Sequence, residues 1–380
     1  MGRKAPCPPR IARLEMPGSV GIPCLLMRGG TSKGAFFLAS DLPTDRAERD
    51  DLLLRIMGTP DPRQVDGLGG AHPLTSKVAV ISPSAAAGAD VDYLFLQVGV
   101  DTAFVTDRQN CGNILAAVGP FAVERGLVRA SGTQTDVRIR MVNTGSLATA
   151  RFATPGGVVD YDGGTEAGGA VAIDGVPGRA APIRLDFEGT AGSSTGALFP
   201  SGRVLDHVEG TDVTCVDNGM PSVLMRAADL GLTGYEDPAD LEADEGLAAR
   251  LAGVRLAAAE LMGMGDISGA TVPKLVLLAP PRAGGSIATR SFLPVRVHTS
   301  IGVLGALTVA AGIMAEGSVG RDLAALPRPG EPFRVEHPTG HFDVEVALDS
   351  SPEGYTVTRS TALRTARKIF DGRVIPRRRL

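Results

Sequence analysis

The chain has no tryptophan, only four tyrosines and twelve phenylalanines, and only four cysteines in 380 residues. Aromatics at 4% leave too few rings to build a stacking platform for single-stranded nucleic acid, and they predict an aliphatic core. The cysteines, at 7, 24, 111 and 215, are widely separated and lack a CxxC pair, which argues against a zinc cage and against a disulfide framework. No run approaches the roughly 18 apolar residues that cross a bilayer, and no signal-peptide core precedes the first strand. A net charge of −4 gives no general attraction to nucleic acid or to an anionic membrane. Basic residues gather at Arg3, Lys4, Arg10 and Arg13 and at Arg377, Arg378 and Arg379, where they read as solvated tails. A cytoplasmic protein with neither a nucleic-acid nor a membrane partner is expected.

Glycine, by contrast, is abundant at 49 residues, so tight turns and close backbone approaches should be common. The length suggests two domains. Residues 1–15 read as a disordered leader, 16–187 as a first domain and 188–380 as a second. A strand from Val20 enters the turn at Gly29 and Gly30. A helix follows, with Thr44 as N-cap and Gly58 as its stop. Strands are expected at "SKVAVIS", "VDYLFLQVGV", "DVRIRMVN" and "ATARFAT", then near 183–188 and 213–217, and at "KLVLLAP" after a helix over about 239–262.

Two segments resemble each other. "RQNCGNILAAVGPFAVERG" (108–126) and "RVHTSIGVLGALTVAAG" (296–312) each place a polar cluster before a glycine-dotted, alanine-rich apolar helix. A helix apolar all round is surrounded by protein. The repeat predicts two like-built domains, each wrapped around one buried helix, with both helix N-termini facing a shared cleft suited to carboxylates.

Cys111 stands where the first of these helices begins, a position that favours a thiolate. Its bland reading is a small packed residue. Asn110 and Asn113, whose amides can hold a carboxylate, and Gly112, which lets backbone approach a ligand, favour a site. Lys77 opens an apolar strand; turned into the cleft, it would be a desolvated base for a proton beside a carbonyl. Thr75 and Ser76 precede it as anion contacts. The glycine turn with Arg28, Thr31, Ser32 and Lys33 offers N–H groups and charge, but Ala35 stands where a phosphate loop needs its lysine. "GLGGAH" likewise ends in His72 where a dinucleotide fingerprint needs glycine. His337 and His341 in "HPTGH" are separated by Pro338 and Gly340, which argues against a shared helix face and a metal site. No GxSxG elbow occurs.

Taken together, "IPCLLMRGGTSKGAFFLASDLP", "LTSKVAVIS", "NCGNILAAVGPFAVERGL", "CVDNGMPSVLMRAADLG" and "RTARKIFDGRV" resemble the methylaconitate isomerase family of the diaminopimelate-epimerase-like superfamily. Within it they are similar to the 4-oxalomesaconate tautomerases of bacterial gallate degradation. The resemblance runs from about Gly21 to Pro376. It implies an α+β fold of two similar domains, each a curved, mostly antiparallel sheet or barrel around a central helix, with the active site between them. It also implies that Lys77 and Cys111 are the acid–base pair, that no cofactor or metal is needed, that the substrate is a small unsaturated tricarboxylate, and that a homodimer can form. Superfamily relatives carry a second cysteine in the other half; here that region reads "VHTSIGV", so His298, Thr299 and Ser300 are expected as substrate contacts. Allylic or cis–trans isomerisation of oxalomesaconate, methylaconitate or aconitate is the alternative within the class. A non-catalytic carboxylate-binding protein is the alternative outside it.

Overall fold

The computed structural model describes residues 21–379 apart from 109, 165–168, 269, 294–295, 329–330 and 353. The leader expected over 1–15 lies outside the described residues. In the first half run β1 (Ile22–Gly29), β2 (Ser32–Leu38), α1 (Arg46–Met57), β3 (Lys77–Pro83), β4 (Val91–Val98), β5 (Val105–Thr106), α2 (Gly112–Leu115), α3 (Val118–Glu124), β6 (Gln134–Met141), β7 (Leu147–Ala153) and β8 (Ile183–Glu188). The second half begins with β9 (Asp206–Val208), β10 (Thr211–Val216), β11 (Ser222–Arg226), α4 (Pro238–Ala243), α5 (Glu245–Leu261), β12 (Lys274–Ala279), β13 (Ile287–Leu293) and β14 (Arg296–Val297). It ends with α6 (Val303–Met314), β15 (Phe333–His337), β16 (Gly340–Ser351), β17 (Gly354–Arg364) and β18 (Ala366–Val374).

The pairing pattern repeats between the halves. β2 lies parallel to β3, and β4 parallel to β6. Correspondingly, β11 lies parallel to β12, and β13 parallel to β15. The other pairings between named strands are antiparallel, and β8 joins β17 to make one continuous sheet. Each half wraps an apolar helix, α2–α3 in the first and α6 in the second, and the two share one core with residues such as Phe121, Ile139, Leu307 and Val335. This is the diaminopimelate-epimerase-like architecture. The last strand crosses back: β18 pairs with β1 from Val374↔Ile22 to Ala366↔Gly29, as β9 pairs with β10 in the other half. The division expected at 187/188 falls just before the last residue of β8, and β18 lies against β1 of the first half.

Several helices differ from the sequence expectation for identifiable reasons. Asp45, not Thr44, caps α1, its carboxylate accepting from the Glu48 N–H at 2.9 Å. The helix expected over 111–126 does begin after Cys111, but it breaks at Ala116 and Ala117. Pro120 lacks the N–H that would bond the carbonyl of residue 116, and its ring crowds that carbonyl. The helix expected over 239–262 is interrupted at Asp244, which accepts from the Leu247 N–H at 2.8 Å and so starts α5 anew. In the second segment the polar cluster does precede the helix, with Arg296 and Val297 in a short strand, and α6 runs two residues past the closing glycine expected at Gly312. A Cβ on Gly312 would stand 2.6 Å from the Leu224 side chain, so this glycine serves close packing against β11. Among the described residues, no helix is long and apolar enough to cross a membrane.

Gly29 ends β1 against the start of α2, where a Cβ would lie 2.4 Å from the Asn113 carbonyl oxygen. That oxygen is backbone and cannot swing aside. Gly29→Ala is therefore expected to cost about 1–3 kcal/mol, measurable as a lowered midpoint in a thermal melt; an unchanged midpoint would show that α2 gives way freely.

Candidate active site

A cavity of about 250 Å³ lies between the halves, and both contribute to its wall. Lys77, Cys111 and Asn113 come from the first; Lys274, His298 and the start of α6 come from the second. None of its described lining residues is acidic. The two sites singled out in the sequence, Lys77 and Cys111, thus line one space.

Lys77 is the first residue of β3, and the strand's apolar continuation packs into the first half, which leaves the lysine at the strand mouth. Its Nζ donates to the Gln97 Oε1 at 2.8 Å and stands 5.1 Å from the centre of the Phe95 ring. Gln97 is held in turn: its Nε2 donates to the carbonyls of Ser76 at 3.0 Å, Pro73 at 3.1 Å and Val98 at 3.2 Å. The amide orientation is therefore fixed, with oxygen toward the lysine. That bond fixes where the Lys77 Nζ sits at the cavity wall.

Cys111 caps α2 and is partly exposed, whereas Cys24 and Cys215 are buried. Burial pushes the Cys24 and Cys215 thiols up to about 12, which leaves both inert. The buried Tyr93 hydroxyl donates to the Cys111 carbonyl at 3.3 Å, fixing the backbone there. Asn110 and Asn113 flank the thiol, but each spends an amide N–H on a threonine: Asn110 on Thr144 at 2.7 Å, Asn113 on Thr31 at 3.1 Å. Their Oδ1 atoms are buried without partners, as is the Ser32 Oγ, and all three residues line the cavity. These oxygens are enclosed in the cavity wall rather than open to its space, and the Asn113 Oδ1 sits against Gly30. Gly112 faces the other half, and a Cβ there would lie 2.6 Å from the Val303 Cβ.

From the second half, His298 lines the cavity and its Nδ1 accepts from the Ser300 N–H at 3.0 Å. Burial, with help from His337 and two lysines, pushes His298 down to about 4, so at neutral pH it is uncharged with its proton on Nε2. The residue in the place of Cys111 at the second helix start is Gly302, the N-cap of α6, rather than Thr299 or Ser300. Lys274 opens β12 as Lys77 opens β3. It escaped the sequence reading, although "PKLVLL" mirrors "SKVAVI", and that repeat was the signal that could have found it.

Other expected contacts lie elsewhere. The Arg28 guanidinium bonds the Gly30 carbonyl at 2.8 Å and the Thr365 hydroxyl at 3.0 Å, facing a separate cleft shared with Arg367. Thr31 reaches the site only through Asn113. Ser76 is fully buried and donates to the Gln64 Oε1 at 2.6 Å, tying down the turn before β3. Thr299 lines an outer cleft beside His298, and its carbonyl accepts from the Thr339 hydroxyl at 2.8 Å. The Ser300 hydroxyl is engaged with the His337 Nε2 at 3.2 Å. His337 and His341 sit on a hairpin, and among the described residues no group of three or more His, Cys, Asp or Glu is arranged to hold a metal ion.

The chain is 55% identical over 351 residues to the (4E)-oxalomesaconate Delta-isomerase of Novosphingobium sp. (strain KA1), covering 92% of this chain and 96% of that one. It is 54% identical over 356 residues to the 4-oxalomesaconate tautomerase of Pseudomonas putida, covering 93% and 96%. A crystal structure of methylitaconate-delta-isomerase matches with a TM-score of 0.80 at 34% identity, over 93% of this chain and 95% of that one. A family model described as PrpF protein matches residues 19–376, and the chain belongs to that family.

Proposed function

We propose that the chain is an isomerase that interconverts the keto and enol forms of 4-oxalomesaconate without a cofactor, in gallate-type aromatic degradation in the cytoplasm. The observation that carries the reading is the placement of Lys77 and Cys111 on one acid-free cavity between the halves. The names of the two relatives above 50% identity support the substrate.

The substrate has a methylene between a ketone and a conjugated alkene, so its protons are doubly activated. Lys77, as a neutral amine oriented by Gln97, removes one of them. The electron pair spreads through the conjugated system to the ketone oxygen and a carboxylate. Two donors are aimed at that developing charge: the Nε2–H of neutral His298 and the unbonded N–H groups at the start of α6. A proton returned to the oxygen gives the enol. Returned to the far alkene carbon, it gives the allylic isomer. The second route is favoured by one observation, the Delta-isomerase name of the 55% identical relative. Cys111 is the acid for the return step in either case.

Lys77→Ala is expected to abolish solvent-deuterium exchange at the methylene, followed by NMR, and Cys111→Ser to slow turnover by about 10²- to 10⁴-fold. Exchange persisting in the Lys77 variant would remove the base; binding of oxalomesaconate with no exchange in the unaltered protein would make the chain a carboxylate-binding protein instead. The ultraviolet spectrum of the product separates the enol from the allylic isomer.

His298 gives a prediction for stability. Its folded state binds a proton only near pH 4, while an unfolded histidine binds one near 6.5, so the unfolded chain carries the extra proton between those values. Stability from its neutral burial is present above about 6.5 and is lost as pH falls toward 4. His298→Asn should flatten the decline of the thermal midpoint over that window relative to the unaltered protein; an equally steep decline would mean that His298 is not buried neutral.

A further inference from the structure

Lys274 has no assigned task in the proton transfer described above. It is only 7% exposed and lines the same cavity as Lys77. Its place in the second half is the counterpart of Lys77 in the first. Lys77 pairs with Gly34 across the parallel strands β2 and β3, and Lys274 pairs with Ser222 across the parallel strands β11 and β12. The two differ on their antiparallel side. Lys77 faces Gln97, whose oxygen takes its N–H. Extending the β12–β13 register by one residue from Leu275↔Phe292 sets Leu293 opposite Lys274, an apolar side chain with nothing to accept. No hydrogen bond or ion pair of the Lys274 ammonium is present among the described residues. A buried, unpaired ammonium in a cavity without acids is a costly arrangement for a structural lysine, and a fitting one for binding a carboxylate.

We infer that Lys274 is the cavity's carboxylate clamp: its ammonium pairs with a substrate carboxylate from the second half while Lys77 works on the methylene from the first. The duplicated fold thus supplies two amines at equivalent positions and gives them different work, one polarised by a glutamine and one left open for an anion. The division of labour rests on the proposed function; the clamp itself requires only that the cavity bind a polycarboxylate. Its charge is conditional. Burial first, then Arg255 on α5, pull Lys274 down to about 8; Lys77, Cys111 and the uncharged His298 are the other titratable groups on the cavity wall. The clamp therefore holds its anion below that pH and releases it above.

The test uses propane-1,2,3-tricarboxylate, a saturated compound that cannot react, with binding followed by calorimetry, alongside turnover of oxalomesaconate. Lys274→Met should weaken binding of the saturated tricarboxylate about tenfold or more. It should raise KM by a similar factor with a much smaller change in kcat. Its thermal midpoint should rise, because an unpaired buried charge has been removed. Lys274→Arg should retain part of the affinity. In the unaltered protein the affinity should fall as pH rises through about 8, and in Lys274→Met that fall should be absent. Unchanged affinity in Lys274→Met would overturn the clamp. So would a loss of kcat and of methylene exchange at unchanged KM, which would make Lys274 a proton-transfer group. If Lys274→Met does not fold, an affinity of the unaltered protein that stays constant between pH 7 and 9 overturns the clamp. Tricarboxylate binding that depends on Lys274, without turnover of oxalomesaconate, would leave the clamp standing and overturn the proposed reaction.

Discussion

The closeness of two helix starts governs the rest of the structure. α2 and α6 meet where Gly112 faces Val303, and a single methyl group on residue 112 would intrude to 2.6 Å. The apolar faces of both helices are buried in a shared core, so neither can back away without exposing aliphatic surface. This contact holds the halves at the spacing that leaves a cavity of about 250 Å³ rather than a solid seam or an open groove. Cys111 stands on one side of it, immediately before α2, and Gly302 stands on the other, immediately before α6. The cavity is thus a by-product of how tightly two glycine-bearing helix starts can approach.

The chemistry follows from what each half brings to that space. The first half supplies a lysine fixed by a glutamine, together with a thiol. The second supplies a lysine without a protein acceptor, a neutral histidine and a helix start with no cysteine. A cavity lined with donors and free of acidic side chains favours an anion with several carboxylates and disfavours a cationic or purely apolar ligand. Symmetric racemases need like groups on both faces of a carbon. Here the faces are unlike, which suits a proton taken from one atom and returned to another.

Much of this was legible in the sequence. The buried helices announced themselves by being apolar all round, and the strands around Lys77 and Cys111 by their bounded aliphatic runs. The helix breaks were less legible because each turns on one residue: Pro120, which denies a bond to the preceding turn, and Asp244, whose carboxylate caps a new helix. Ser76 and Arg28 were misplaced for a related reason. Spacing tells which residues are near the site, but the direction of a side chain at a strand mouth depends on register, and these two point to Gln64 and Thr365. Lys274 was hidden by the weakness of the repeat, which only the paired parallel strands make plain. β16 does alternate, with Phe342, Val344 and Val346 buried between Asp343 and Glu345, so its period of two was there to be read; β17 and β18 alternate irregularly and carry no clean period.

The returned strand β18 has a consequence for how the molecule comes into being. β1 is made before the other described strands, yet it receives one of its two neighbours from residues 366–374, in the last of them. Until those residues arrive, β1 presents an open sheet edge, the kind of surface that recruits foreign strands. The first half therefore cannot be completed until β18 has been made, whereas β9 precedes the strand it pairs with and lets that part of the second half close in order. The half that bears Lys77 and Cys111 is the last to be sealed.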